Sequence, residues 1–541
     1  MKWPKKLSWL KKLFNSPIWL ILSIVFILFI QVPIFFKDTN HLAYNVEPMP
    51  DIMQYMVAAD NLAHGWGWGL HYHGSKANIV VPPLYTLYLT IWRLILPSTP
   101  IFFVAANIFL QIATIFLLYK IARKIADESK QFWVTPALLV LYLSFASSSW
   151  YASLAMIENL GLLLMAAILA VLILMKNAWR QYLLLLGLAS VCFLSKFTFI
   201  PLAATIFIIL LIKLVATKQW RLILGVCATG LVMVAVVWFL FPIIPRMFLG
   251  DNQFFSTDFI SPNLAALWTL LSGRPELILW RYIPFSTALL WPTTIVLTIL
   301  NWRHRQVRLL NIFIWLLVLS LLPLPLIFNV FDFRHFLQFI PILSVLTIAN
   351  VAIFITNLKT KKIRLVCFIF LAVLFFAQIF NQKDLYIDLY RKNILHSEVP
   401  WTYKAIQSFD EYFSAQENQG RGNYLLFFIS PHAGQYLSEL DSYRFLPITD
   451  ESVTFGAITS SNYGADLDGE RLLNDRFNYY DEMLQNGIPI YVTNYGTDKI
   501  IAHHLAIDEL KEYFHAELVQ EACLGSCNLY KLFAHHEELK N

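Results

Sequence analysis

Eleven apolar stretches divide residues 1–381, far more than a water-soluble core of this size could bury. They occupy approximately 18–36, 100–119, 132–153, 159–175, 182–200, 201–216, 222–244, 282–300, 309–328, 336–356 and 365–381. In a bilayer only a helix or a closed barrel satisfies its own backbone, and unbroken runs of this length read as helices. Composition agrees: 58% of the 541 residues are hydrophobic and only 14% are charged, against about 25% in soluble domains.

Charge alternates between the connections. The N-terminal tail and the segments around Lys120–Lys130, Lys176–Arg180, Lys213–Arg221, Arg303–Arg308 and Lys359–Arg364 hold 21 of the 29 basic residues before 382, but only two of the 11 acids. Basic loops face the cytoplasm, so the N-terminus is cytoplasmic and the other connections lie outside. The basic excess is therefore an orientation signal, not a nucleic-acid surface. The first run follows five lysines and lacks a small-residue cleavage site, which makes it a retained anchor. An odd number of spans carries residues 382–541 outside as well. That segment holds 12 basic and 24 acidic residues and alternates helix-like stretches (401–416, 468–485, 505–515) with strand-like ones (424–429, 488–493, 528–533). The expected architecture is a polytopic α-helical membrane domain, 1–381, and a C-terminal extracytoplasmic α/β domain, 382–541. In an oxidising compartment, Cys523 and Cys527 would form a local disulfide.

The first outer loop, 37–99, holds the chemistry-bearing residues. Pro50 opens and Gly65 closes a helix of roughly 14 residues, with Asp51, Tyr55, Ala59 and Leu62 on one face. Asp51 sits in the first turn, where the helix dipole favours a carboxylate. Glu47 precedes it, but Pro48 and Pro50 intervene. Pro82-Pro83 then opens a second interfacial helix, Leu84 to Leu96, containing Arg93. Further ionisable residues share the outer boundary: Glu158 begins the fourth run, Lys196 ends the fifth, and Arg334 with His335 precedes the tenth. Taken singly, each cation is explained by snorkelling to headgroups. Acids beside cations from separate segments at one membrane face suit chemistry on an anionic lipid headgroup.

These residues resemble the type-C glycosyltransferases, in particular the branch using polyprenyl-phosphate sugars, which includes protein O-mannosyltransferases and aminoarabinose transferase. The matching positions are Asp51, Tyr55, Ala59 and Leu62-Ala63-His64-Gly65, then Pro82-Pro83-Leu84-Tyr85, Glu158, Lys196-Phe197-Thr198, and Arg334-His335-Phe336 followed by Ile340-Pro341. The resemblance covers most of 1–381 and essentially none of 382–541. Many members carry Asp-Glu in the first loop, whereas Ile52 follows Asp51 here.

The resemblance implies a multi-pass inner-membrane enzyme that moves a sugar from a polyprenyl-phosphate donor to a hydroxyl of a lipid, glycan or protein. Asp51 would be the base and Glu158 would orient a sugar or acceptor. Glu47, Tyr55, Arg93, Lys196, Arg334 and His335 would bind substrate, the cations at the phosphate. The branch is generally metal-independent, so no cofactor is expected, although His71 and His73 leave a divalent metal possible. The rival class is a transporter or flippase. Its charges more often lie at mid-membrane, whereas these lie at one edge.

Overall fold

A helix lies on every one of the eleven apolar runs in the computed structural model. The described residues fall within 13–32, 50–96, 99–240, 260–265, 285–321, 337–390, 401–415, 423–427, 443–447, 475–493 and 510–534, with short interruptions inside these ranges. In chain order the elements begin with α1 (Ile18–Gln31), α2 (Pro50–Ala63), the strands β1 (Leu70–Tyr72) and β2 (Ser75–Ala77), and α3 (Pro83–Ile95). The apolar series continues with α4 (Thr99–Ser129), α5 (Val134–Leu143), α6 (Glu158–Leu174), α7 (Ala178–Ser195), α8 (Ile200–Ala216) and α9 (Trp220–Leu240). Then come α10 (Phe285–Leu300), α11 (Arg305–Leu321), α12 (Phe339–Asn357) and α13 (Lys361–Tyr390). The C-terminal part holds α14 (Trp401–Ala415), β3 (Asn423–Phe427), β4 (Tyr443–Pro447), α15 (Arg476–Gln485), β5 (Ile490–Thr493), β6 (His515–Gln520) and β7 (Leu529–Phe533). Among the described residues, three stretches are long and apolar enough to cross a membrane by length and composition: Phe103–Ser129, Ala178–Ser195 and Phe339–Asn357. Five shorter apolar helices accompany them.

By its internal contacts the chain divides into two compact units. One comprises Met1–Phe36, Pro82–Leu84 and Val104–His396; the other comprises Lys37–Val81, Tyr85–Phe103 and Ser397–Asn541.

The first unit is organised on α12, buried along nearly its whole length and packed against α5, α6, α10, α11 and α13. A chain of polar side chains fixes three of these helices in register. The hydroxyls of Thr294 and Thr347 are 2.6 Å apart, and Asn301 Nδ2 donates to the Asn350 carbonyl at 3.0 Å. Asn350 Nδ2 in turn donates to Asn311 Oδ1, and Asn311 Nδ2 to the Thr298 carbonyl, each at 3.3 Å. Between apolar helices such bonds specify one packing, because a slip would leave amides unpaired. The outward faces of α9 and α13 are apolar, with Leu224, Leu231, Leu365, Val366 and Phe376 exposed, as expected of lipid-facing surface. Cys192 is buried in α7, whereas Cys227 is exposed on α9. α5 stops at Leu143, well short of the expected end at 153. At its end the Ser144 hydroxyl donates to the Leu141 carbonyl at 2.7 Å, competing with the helical ladder.

In the second unit α2 has the expected bounds. Gly65 follows it with φ +75°, a left-handed conformation that glycine adopts without strain, and its N–H donates to the Leu62 carbonyl at 3.1 Å. The five-stranded sheet has the order β4-β3-β5-β7-β6, with β3 parallel to β4 and β5, and β7 antiparallel to β5 and β6. β5 is buried on both faces. Tyr491 meets Phe413 of α14 edge-on at 5.0 Å, while Ile490 and Val492, on the other face, pack with Tyr480 and Met483 of α15. The result is a sheet between helical layers. β3, β5 and β7 lie on the three expected strand-like runs; β4 and β6, at the two edges, were not foreseen. α15 begins at 476, not 468, and most of 505–515 lies outside the described residues.

Candidate functional site

The turn between α7 and α8 and the start of α6 bring the first unit's opposite charges together. Asn177 caps α7, its side chain accepting the Arg180 N–H at 3.1 Å. The helix ends where Lys196 becomes extended, at φ −157° and ψ 145°. The Phe199 N–H donates back to the Lys196 carbonyl at 2.9 Å, and Pro201 lies in the first turn of α8, where its missing N–H costs nothing. This turn presents Lys196 to Glu158, the first residue of α6. Lys196 Nζ lies 2.5 Å from Glu158 Oε1, with the two side chains 13% and 2% exposed.

Gly161 makes that approach possible. A Cβ at this position would lie 2.5 Å from the Phe199 ring, so no other residue allows α6 to lie so close to the turn. Gly161 is three residues after Glu158, and Phe199 three after Lys196. One contact therefore sets the spacing of the ion pair.

The pair leaves several polar atoms over. Among the described residues Glu158 Oε2 is buried without a hydrogen-bond partner, and so are both Oδ1 and Nδ2 of the neighbouring Asn159. Ile157, in the N-cap position of α6, contributes no side-chain bond, and Asn159 is 1% exposed. An unsatisfied buried polar group costs about 1–3 kcal/mol, so this arrangement is expensive unless something else is held there. Glu158 and Lys196 are among the residues expected from the sequence, and Asn159 is not. An amide beside an acid at the head of a long apolar run was the available signal.

In the second unit, Arg93 Nε donates to Asp60 Oδ1 at 2.5 Å, and its Nη1 to the Leu96 carbonyl at 3.3 Å. Arg93 thus ties the end of α3 to α2, an arrangement reinforced by the Thr90 hydroxyl on the Ala59 carbonyl at 3.5 Å. Asp60 was not among the expected residues; its carboxylate accepts from the Nε of Arg93, which was expected at the phosphate. Tyr55 is buried, with its ring edge-on to Tyr85 at 5.0 Å, and Ala59 is wholly buried. Asp51 is the second residue of α2. His71 is in β1, opposite Lys76 of β2. Glu47, Arg334, His335, His73, Cys523 and Cys527 lie outside the described residues. Among the described residues no group of three or more histidines, cysteines and acids is placed to hold a metal ion.

The sequence matches no protein-family model, and no curated protein matches it. Its fold does have relatives. ArnT, the aminoarabinose transferase of Cupriavidus metallidurans, bound to undecaprenyl phosphate, superposes with a TM-score of 0.57 at 12% identity. The match covers 95% of this chain and 98% of that one. The apo form of the same protein gives 0.55 at 12% identity, covering 95% and 97%. The fold is that of type-C membrane glycosyltransferases, as the resemblance implied. Coverage of 95% of the chain extends the structural likeness into 382–541, where the sequence shows no matching motifs.

Proposed function

We propose that this protein is an integral-membrane glycosyltransferase that moves a sugar from a polyprenyl-phosphate donor to an acceptor hydroxyl at the outer face of the membrane. The observation that carries the reading is the full-length likeness to ArnT, which holds undecaprenyl phosphate. The buried Glu158–Lys196 pair at a helix boundary supports it.

The chemistry assigned to the residues follows from the reaction. An acceptor hydroxyl attacks well only if a carboxylate takes its proton as the new bond forms, and Asp51 is the proposed base. The departing lipid phosphate gains charge in the transition state. Arg334, with His335 beside it, and the remaining N–H groups of Lys196 are the proposed donors to it. Glu158 orients the sugar. Arg93 serves indirectly, its bond to Asp60 holding α2 in place. A single direct displacement inverts the anomeric centre. Eleven spans, a cytoplasmic N-terminus and an outer C-terminal domain complete the proposal. Grouping of the first outer loop with Ser397–Asn541 in one compact unit supports a common side for those two segments.

The test is turnover by the purified full chain in lipid nanodiscs. Undecaprenyl-phosphate sugars serve as donors, and release of undecaprenyl phosphate in the presence of envelope lipid or glycan extract is the readout. Release that requires both donor and extract supports the assignment; a chain that binds these lipids but releases none of them, with every donor and extract supplied, overturns it.

A further inference from the structure

The polar atoms left over at the head of α6 call for a ligand that both gives and accepts hydrogen bonds. Glu158 Oε2 and Asn159 Oδ1 are acceptors, Asn159 Nδ2 is a donor, and none of the three has a partner among the described residues. Both residues are more than nine-tenths buried. Glu158 and Asn159 are consecutive at the start of the helix, so their side chains leave the axis about 100° apart.

Charge and hydrogen-bond capacity narrow the ligand class. A phosphate oxygen only accepts, and would meet two acceptors, one of them a carboxylate. A cation would meet the Lys196 ammonium, which lies 2.5 Å from the same carboxylate. A neutral polyhydroxyl compound suits all three atoms. Each hydroxyl donates to a carboxylate or amide oxygen and accepts from an amide N–H.

We propose that Asn159 and the free oxygen of Glu158 grip hydroxyls of the sugar carried by the lipid phosphate, with Asn159 setting which sugar is accepted. This rests on the glycosyltransferase reading. Lys196 fits the same site, since its pairing with Glu158 leaves further ammonium protons for the adjoining phosphate. Gly161 and Phe199 hold the arrangement in register.

The experiment measures binding of bare undecaprenyl phosphate, and of its mannosyl, glucosyl, galactosyl and arabinosyl forms, to the full chain in nanodiscs. The wild type binds at least one sugar form more tightly than the bare lipid. Asn159→Ala loses about tenfold of that advantage, the loss of one or two hydrogen bonds, and binds bare lipid phosphate as before. Asn159→Asp, isosteric but without the amide donor, reorders the preference among the sugars. Asn159→Leu melts no lower than the wild type, because it removes two unpaired buried groups. If the wild type prefers a sugar form and Asn159→Ala and Asn159→Asp keep that preference, the sugar site is overturned while the glycosyltransferase reading stands. If the wild type binds no sugar form better than the bare lipid, the sugar site is overturned, and the turnover assay decides the glycosyltransferase reading separately. A clear drop in the melting temperature of Asn159→Leu with sugar preference intact makes Asn159 a structural residue and also overturns the proposal.

Discussion

At the scale of single residues, the ion pair is the interaction whose removal is easiest to interpret. Lys196→Met leaves the Glu158 carboxylate buried and alone, which costs about 3–5 kcal/mol where one partner of a buried pair is deleted. Glu158→Gln combined with Lys196→Met removes both charges and restores most of that stability without restoring transfer. Thermal unfolding in detergent checks the first statement and donor turnover the second. A single Lys196→Met variant as stable as the wild type would mean that water reaches the pair. Asp51→Asn behaves in the opposite way: it changes a proton acceptor into a neutral amide of the same shape. Transfer should fall on the order of a hundredfold or more while the melting temperature holds. Turnover near wild type in purified protein removes Asp51 from the mechanism. The two variants separate the loss of a buried ion pair from the loss of the proposed base.

At the scale of elements, legibility depended on whether the signal was local. Pro50 and Gly65 are local punctuation, and α2 spans Pro50–Ala63 between them. β3, β5 and β7 are apolar enough to stand out, whereas β4 is a five-residue edge strand ending in Pro447. β6 is the other edge, largely exposed and without a continuous apolar run. Pairings across elements were not legible. Nothing near Arg93 in sequence indicates Asp60, 33 residues away, and Lys196 and Glu158 are 38 apart. Gly161 shows the same limit, because its role is visible only once the Phe199 ring lies against it. Gly161→Ala should therefore push α6 off the turn, at about 1–3 kcal/mol, and loosen the ion pair. Adding Phe199→Leu makes room for the new methyl group and should recover much of the loss. Unfolding of the single and double variants reads this directly; no recovery in the double variant would show that Gly161 is chosen for another reason.

At the scale of the whole molecule, the chain shares a fold with ArnT at 12% identity. A central buried helix, small residues at close crossings and satisfied amides constrain the packing more than particular apolar side chains do. Sidedness is a separate property, set by charge in the loops during insertion. If the proposed eleven spans hold, the concentration of basic residues in alternate connections would put the C-terminal domain outside the cytoplasm. On that proposal the Cys523-Leu-Gly-Ser-Cys527 segment would sit in an oxidising compartment, where a disulfide between the two cysteines is expected from the sequence. Intact cells treated with a membrane-impermeant thiol reagent should label these cysteines only after reduction. Labelling without reduction keeps the sidedness and removes the disulfide. A reporter fused after Asn541 that works only in the cytoplasm would make the number of spans even. One of the five shorter apolar helices would then lie along the membrane surface instead of crossing it. Because α5 has only ten residues, it is the first to re-examine in that event.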